Sequence, residues 1–245
     1  MIFQEPMTSL NPVFKIGDQI QEAIKLRNSR GKGIAANEPS RSSSPSRIRT
    51  SARRKEVTDV LNLVRIPDPE RIADRYPFEL SGGMRQRVMI GMSLAQKPSL
   101  LIADEPTTAL DVTTQAQVLK LMRGLMEEVD TSILLITHDL AVASQVADRI
   151  AVMYAGQIVE DGDVLDLFSS PLHPYTQGLL ACIPSGSKEG MRLNPIQGST
   201  PDLRSIPAGC KFAPRCPHVT RECEATKPEL RGKEGSHRVA CYLHD

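Results

Sequence analysis

Two short apolar runs, each ending in polar residues, constrain the fold of this 245-residue chain more than any other feature. The first run, SLLIADEP, ends in Asp104 and Glu105, and the second, TSILLITHD, ends in His138 and Asp139. Between them, the apolar residues of 118–126 follow the i, i+3, i+4 spacing of an amphipathic helix. Strand, helix and strand in this order predict a parallel α/β unit of buried strands, with the polar residues of both strand ends at one sheet edge.

A pair of glycines precedes a second helical pattern. Apolar residues recur at every fourth position from Met84 to Met92, which predicts a helix that starts just after Gly82 and Gly83. Glycines let the backbone approach a phosphate closely, and the free amides of the helix N-terminus then point at it. Ser81 adds a hydroxyl donor, so this segment is predicted to bind an anion.

Four segments together resemble the ATP-binding subunits of ABC transporters. LSGGMRQRV resembles their signature motif, LLIADEPTTALD their Walker B segment and D-loop, LLITHD their switch-histidine segment, and MIFQEP their Q-loop. The order of the motifs and their strand and helix context agree with this family. The resemblance implies an α/β fold over residues 1–165, namely a partial P-loop NTPase ABC domain with a parallel sheet, helices and a helical subdomain.

The resemblance also implies a catalytic role for each matching polar residue. Glu105 is expected to orient the attacking water or to act as its general base, and His138 to contact the γ-phosphate of ATP. Asp104 is expected to bind Mg²⁺. Gln4 is expected to contact Mg²⁺ or the attacking water and to link the site to the membrane subunits.

The signature and D-loop segments are expected to bind nucleotide across a dimer. By resemblance, Ser81, Gly82 and Gly83 contact the γ-phosphate of ATP bound by a partner ATPase. Gln86 and Asp111 belong to the same nucleotide-binding group, and Asp111 is expected to lie at the dimer seam.

Further segments narrow the resemblance to the oligopeptide/dipeptide (nickel-peptide) importers. These are MTSLNP, PLHPYTQGLL, and GCKFAPRCPHVTRECEATKPEL before RVACY, the later ones within a small irregular C-terminal extension predicted over residues 166–245. The implied partners are a second ABC ATPase subunit in a homo- or heterodimer, two transmembrane permeases and, indirectly, an extracytoplasmic peptide-binding protein, with no nucleic acid. No apolar run reaches the roughly 20 residues of a membrane span. We therefore expect a peripheral protein at the cytoplasmic face of the membrane.

A P-loop is absent from these residues. It reads G-x-x-x-x-G-K-S/T, and neither Gly31-Lys32 nor Gly232-Lys233 fits. In the resembled family the P-loop precedes the Q-loop, so the chain is interpreted as truncated before the Q-loop. One interpretation is an ATP-hydrolysing subunit in the form of a fragment unable to bind ATP alone. The alternative is a non-hydrolysing partner that supplies only the signature half of a heterodimeric ATP site.

Four cysteines are spaced widely near the C-terminus, at Cys210, Cys216, Cys223 and Cys241. Zinc sites usually contain C-x2–4-C pairs, which are missing here, whereas four thiolates suit an iron–sulfur centre. Members of the resembled branch can carry a four-iron four-sulfur (4Fe–4S) cluster in this region. The other interpretation is free structural cysteines in a Pro-rich tail.

Residues 27–53 are rich in Ser, Arg, Gly and Pro and have almost no large apolar residue. Such a composition predicts a solvated, disordered insertion. A nucleic-acid-binding arm is the alternative, and a soluble nucleic-acid-associated ABC protein would follow from it. The absence of interleaved aromatic residues and the importer segments near the C-terminus argue against that alternative.

Overall fold

The structure, a computed structural model, describes residues 1–3, 9–30, 51–108, 110–183, 195–202, 204–232 and 235–244. The chain divides into two compact units, Met1–His138 and Asp139–Asp245. This division lies earlier than the domain boundary predicted at 165/166. Each unit has its own cluster of buried apolar residues.

Helices packed against parallel strands make up the first unit. The helices are α1 (Ile16–Arg30), α2 (Ser51–Leu63), α3 (Pro69–Ala73), α4 (Gly82–Leu94) and α5 (Val112–Glu128), with a 3-10 turn at Pro77–Glu79. Their apolar faces share one core, in which Ile20, Leu61, Ile90 and Met122 are almost fully buried. Among the described residues, none of the helices is long and apolar enough to cross a membrane.

Strands β1 (Leu100–Asp104) and β2 (Ser132–Ile136) pair in parallel, with Asp104 opposite Ile136. Ile2 lies on the other side of β1, where it receives a hydrogen bond from Asp104 N at 3.0 Å and donates one to Ile102 O at 2.7 Å. The α5 helix connects β1 to β2. The predicted parallel α/β unit is therefore confirmed.

These strands bury one face and not both, so the prediction of fully buried strands is wrong. Leu101 and Ala103 are almost completely buried against the helical core, whereas Leu100, Leu134 and Ile136 are 52%, 49% and 45% exposed. The alternation follows from the strand period of two, which sends successive side chains to opposite faces.

Helices occupy both ends of the segment 27–53 that the sequence predicts to be an insertion. Helix α1 continues through Arg30, and α2 begins at Ser51, while residues 31–50 lie outside the described residues. Arginine is a good helix former, and Arg27 Nη1 donates a hydrogen bond to the Ala95 carbonyl at 3.3 Å. The basic residues at this end therefore extend a helix where composition predicted a loop.

An antiparallel sheet with short helices makes up the second unit. Its elements are α6 (Leu140–Val146), β3 (Arg149–Tyr154), β4 (Gln157–Asp163), α7 (Val164–Ser169), α8 (Pro174–Ala181), α9 (Arg221–Ala225), β5 (Arg231–Gly232) and β6 (Arg238–Val239). The strand order is β3-β4-β6-β5. The segment RIAVMYAGQIVEDG predicts two strands joined by a turn at Ala155 and Gly156. The structure has this turn between β3 and β4, and both residues have positive φ.

Candidate functional site

An acid and a histidine meet at the carboxyl ends of β1 and β2. Glu105 directly follows β1, and its amide donates a hydrogen bond to Ile136 O at 2.9 Å. His138 follows β2, and its Nδ1 lies 3.0 Å from Glu105 Oε1. The other carboxylate oxygen accepts a hydrogen bond from Thr108 Oγ1 at 3.0 Å. The parallel register thus brings the two predicted catalytic residues together.

The backbone of Glu105 is strained. Its φ is +42°, in the left-handed region that side chains other than glycine rarely adopt. Such conformations persist where the surroundings fix them, and they cluster at functional sites. The side chain of Glu105 is 23% exposed and that of His138 is 71% exposed, so this pair is open to a ligand.

The two predicted Mg²⁺ ligands differ in what the structure describes. Asp104 is the last residue of β1 and precedes Glu105 at the same sheet edge. Gln4 lies outside the described residues.

The predicted anion site forms the start of α4. Gly82 and Gly83 are the first two residues of this helix, not the residues before it, and Ser81 is the N-cap. The Ser81 hydroxyl accepts a hydrogen bond from Met84 N at 3.3 Å. The remaining amides of the first turn have no partner within the helix and are therefore donors for an anion.

The starts of α4 and α5 are in close contact. A methyl group added at Gly83 would lie 2.5 Å from Thr114 Cγ2, so only glycine fits at this position as the helices stand. Asp111 caps α5: Oδ1 accepts from Thr114 N at 3.0 Å and Oδ2 from Thr114 Oγ1 at 2.7 Å. These hydrogen bonds lower the pKa of Asp111. The signature glycine and the D-loop aspartate thus contact the same threonine.

In the sequence, Thr114-x-x-Gln117 resembles a capping box, which predicts that the helix begins after Thr114. In the structure α5 begins earlier, after Asp111. Gln117 instead accepts a hydrogen bond from Arg87 Nη2 of α4 at 3.0 Å. Aspartate is among the strongest N-cap residues, which explains the earlier start.

Gln86 is placed differently from the other predicted nucleotide-binding residues. It is fully buried in the helical core, and its side-chain amide has no hydrogen-bond partner among the described residues. Direct contact with a nucleotide would require this side chain to become accessible, and the nucleotide-binding role of Gln86 stays a prediction.

Two family models match this chain. Residues 1–108 match the ABC transporter family, and residues 159–223 match the oligopeptide/dipeptide transporter C-terminal region. The oligopeptide transport ATP-binding protein AppD of Bacillus subtilis is 49% identical over 245 residues, which cover 100% of this chain and 69% of the relative. The dipeptide transport ATP-binding protein DppD of Escherichia coli is 46% identical over 242 residues, 99% of this chain and 68% of the relative. The chain belongs to the oligopeptide/dipeptide family of ABC ATP-binding proteins.

Solved ABC cassettes share the fold. A dimer of the cassette MJ0796, determined in a post-hydrolysis state with ADP and phosphate, is 27% identical with a TM-score of 0.50, over 66% of this chain and 61% of that one. CbiO1 from Clostridium perfringens, part of the transporter complex cbiONQ, is 24% identical with a TM-score of 0.53, over 69% of this chain and 58% of that one. This chain therefore spans less than two thirds of these solved chains.

In the second unit, the four predicted cysteines line a single cavity. Cys210, Cys216, Cys223 and Cys241 contribute to its wall, together with His173. Burial raises the pKa of three thiols, that of Cys241 to about 11. Within the described ranges, no group of three or more His, Cys, Asp or Glu side chains is arranged to hold a metal ion. The thiols therefore surround a space without converging on one point, and the iron–sulfur cluster stays a prediction.

One close backbone approach holds two of the cysteine segments together. Cys210 N donates a hydrogen bond to Cys223 O at 2.7 Å. A methyl group at Gly209 would lie 2.2 Å from the same carbonyl oxygen, so the approach requires glycine. Thr220 caps α9 and places its hydroxyl 3.3 Å from Cys223 Sγ.

A buried carboxylate that the sequence did not single out joins two other segments. Glu160 of β4 is fully buried. Its Oε1 accepts hydrogen bonds from Leu172 N at 2.7 Å, and its Oε2 accepts one from His173 N at 2.9 Å. His237 Nε2 lies 2.8 Å from Oε1. In the sequence, the only feature that pointed to Glu160 was an acidic residue within a strand pattern.

Proposed function

We propose that this chain is the ATP-binding subunit that powers peptide import through an ABC transporter. The contact between Glu105 and His138 at 3.0 Å, at the ends of adjacent parallel strands, carries this proposal. Two relatives, AppD and DppD, are named as oligopeptide and dipeptide transport ATP-binding proteins, which supports peptides as the transported class.

In the proposed reaction, Glu105 orients the water that attacks the γ-phosphate or accepts its proton. Thr108 and His138 each contact one carboxylate oxygen, so the carboxylate is held in one orientation. His138 then reaches the γ-phosphate from its exposed position. Asp104, with Gln4, would hold Mg²⁺. Phosphoryl transfer depends mainly on such positioning and on stabilisation of charge.

The start of α4 supplies the second part of the proposed site. Its free amides and the Ser81 hydroxyl would bind the γ-phosphate of ATP held by a partner, and Asp111 would lie at the seam. Because these 245 residues contain no P-loop motif, the phosphates must be held by a P-loop on another polypeptide segment. We therefore expect no tight Mg²⁺-dependent ATP binding by these residues alone, and at most one working site in a heterodimer.

The proposed assembly follows from this division of labour. A second ABC ATPase subunit completes the ATP site, and two permease subunits hold both at the cytoplasmic face of the membrane. An extracytoplasmic protein delivers the peptide, and no nucleic acid takes part. The dimeric state of the similar cassette MJ0796 supports the pairing of two ATPase subunits.

ATP turnover by the assembled transporter tests the proposal. Glu105→Gln should lower the rate by about 100-fold or more, because it removes a positioned base. Glu128→Gln, at the exposed end of α5, is the matched control and should leave the rate unchanged. Unchanged turnover in Glu105→Gln would refute hydrolysis at Glu105. If Gly83→Ala alone then abolished turnover, the chain would be a non-hydrolysing partner that supplies only its signature.

We also propose that the cysteine cavity holds a 4Fe–4S cluster. Four thiols from separate segments line one cavity, and four cysteine thiolates are the usual ligands of such a cluster. When bound, the cluster supplies a structural staple and a one-electron redox centre. Its binding must displace protons, because the Cys241 thiol has a pKa of about 11.

Iron and sulfide content after anaerobic purification tests this second proposal. Cys223→Ser should lose the cluster and its broad brown absorbance. Cys182→Ser, outside the cavity wall, should keep both. Protein without bound iron and sulfide would refute the cluster and leave the proposed ATP site unaffected.

A further inference from the structure

His173 is held rigidly in the wall of the cysteine cavity. The residue is 1% exposed, and its ring packs against Phe212 with centroids 5.8 Å apart. Its backbone amide donates to Glu160 Oε2 at 2.9 Å, and its Nδ1 accepts a hydrogen bond from Tyr175 N at 3.0 Å. These contacts involve the backbone amide, Nδ1 and the ring face. Together they hold the imidazole in a single orientation.

The same contacts fix the tautomer of the ring. Because Nδ1 accepts a hydrogen bond, the proton of the neutral imidazole is on Nε2. Burial keeps the ring neutral, since it lowers the pKa of His173 to about 4. The Nε2–H group is therefore the donor of the His173 ring, and His173 is one of the residues that line the cavity.

Glu160 ties this donor to the strand that leads to Cys241. Its carboxylate contacts His237 at 2.8 Å as well as the Leu172–His173 backbone. In the sheet it pairs with Val239, shortly before Cys241. One buried group thus sets the position of the imidazole relative to a cysteine segment of the cavity.

We propose that His173 donates a hydrogen bond, through Nε2–H, to a sulfur of the thiolate-bound iron–sulfur centre in this cavity and raises its reduction potential. This inference rests on the cluster proposed above. Reduction adds negative charge to the sulfurs, and a fixed N–H donor stabilises that charge more in the reduced state than in the oxidised state. His173 is therefore a positioning and tuning residue and not a ligand.

The test compares reduction potentials in variants that keep the fold. In His173→Asn, the amide oxygen can still cap Tyr175 N, because asparagine is a strong N-cap, but the shorter side chain lacks Nε2–H. We expect unchanged iron and sulfide per chain and an oxidised-to-reduced equilibrium shifted about tenfold, which is about 59 mV more negative for one electron. Gln177→Ala is the matched control: it removes a hydrogen bond to Pro171 O in the same segment, with no expected shift in potential.

The outcomes separate the two proposals. If the wild-type protein binds no iron and sulfide, the cluster and this inference both fail. If the cluster is present and His173→Asn leaves the potential unchanged, only this inference fails. A second measurement does not depend on the His173→Asn variant keeping its cluster. It is pulsed EPR on the reduced wild-type protein with ¹⁵N-labelled histidine. His218 also lines the cavity, so the measurement is repeated in His218→Gln. A coupled ring nitrogen that persists in this variant supports the proposal, and its absence overturns it.

Discussion

Replacing Gly83 by alanine tests whether the close contact between α4 and α5 is required. The added methyl group would lie 2.5 Å from Thr114 Cγ2, against about 3.5–4.0 Å for an ordinary carbon contact. The methyl groups therefore overlap by about 1–1.5 Å. Thr114 cannot rotate away freely, because its hydroxyl donates to Asp111 at 2.7 Å.

Two effects of the Gly83→Ala substitution oppose each other. Overpacking of this kind costs about 1–3 kcal/mol, whereas Gly→Ala in a helix gains up to about 1 kcal/mol. We expect a net loss of about 1–2 kcal/mol in the free energy of unfolding, measured from urea midpoints at constant slope.

Two further variants isolate the steric term. At Gly82 the nearest atom to an added methyl is Leu110 Cδ2 at 3.7 Å, an ordinary contact, so Gly82→Ala should be neutral or stabilising. Thr114→Ser removes Cγ2 and keeps the hydroxyl for Asp111, so it should rescue Gly83→Ala. Equal stability of the two alanine variants would refute the reasoning, as would failure of the rescue.

Three other predictions concern titration and packing. Hydrogen bonds hold the pKa of Asp111 below its ordinary value. The contribution of Asp111 to stability is therefore present above the unfolded pKa and lost as pH falls through the folded pKa. In a pH series of urea midpoints, the stability advantage of the wild type over Asp111→Asn should shrink below about pH 4. For His173, with a folded pKa of about 4 against an ordinary 6.5, the unfolded chain binds more protons between these values, so the metal-free protein should lose stability as pH falls from 6.5 to 4, and His173→Asn should flatten this slope. Gly209→Ala should destabilise the second unit by about 3 kcal/mol or more in urea unfolding, because the added methyl meets the rigid Cys223 carbonyl at 2.2 Å, whereas Gly232→Ala, where no described atom lies within 4 Å of the new methyl, should not.

The sequence predicted the parts of the site that depend on local pattern and parallel topology. Apolar runs ending in polar residues were enough to place Glu105 and His138 at one sheet edge, because parallel strands share their carboxyl ends. The helix after Gly82 and Gly83 followed from a four-residue apolar repeat, whereas the N-cap role of Ser81 came from the structure. The turn at Ala155–Gly156 could be predicted because a strand pattern flanks it on each side.

Features that depend on distant contacts were beyond the sequence. Gly82 and Gly83 look equivalent in the chain, and only the packing of Thr114 makes the second one sterically essential. Glu160 looks like a solvent-facing acid, because the groups that satisfy it come from segments far along the chain. The burial of Gln86 was missed for the same reason, since no local pattern reports an unpaired amide in a core.

The left-handed backbone of Glu105 has a consequence for laboratory evolution. Glycine adopts φ near +42° without steric penalty, so Glu105→Gly would relieve strain of about 1–2 kcal/mol while it removes the carboxylate. Under the catalytic role proposed for Glu105, selection for thermal tolerance and selection for transport would favour opposite residues at this position. Under the same proposal, libraries screened for heat resistance alone would accumulate Glu105→Gly members that lack the catalytic carboxylate, whereas pairing the screen with growth on peptides would retain glutamate.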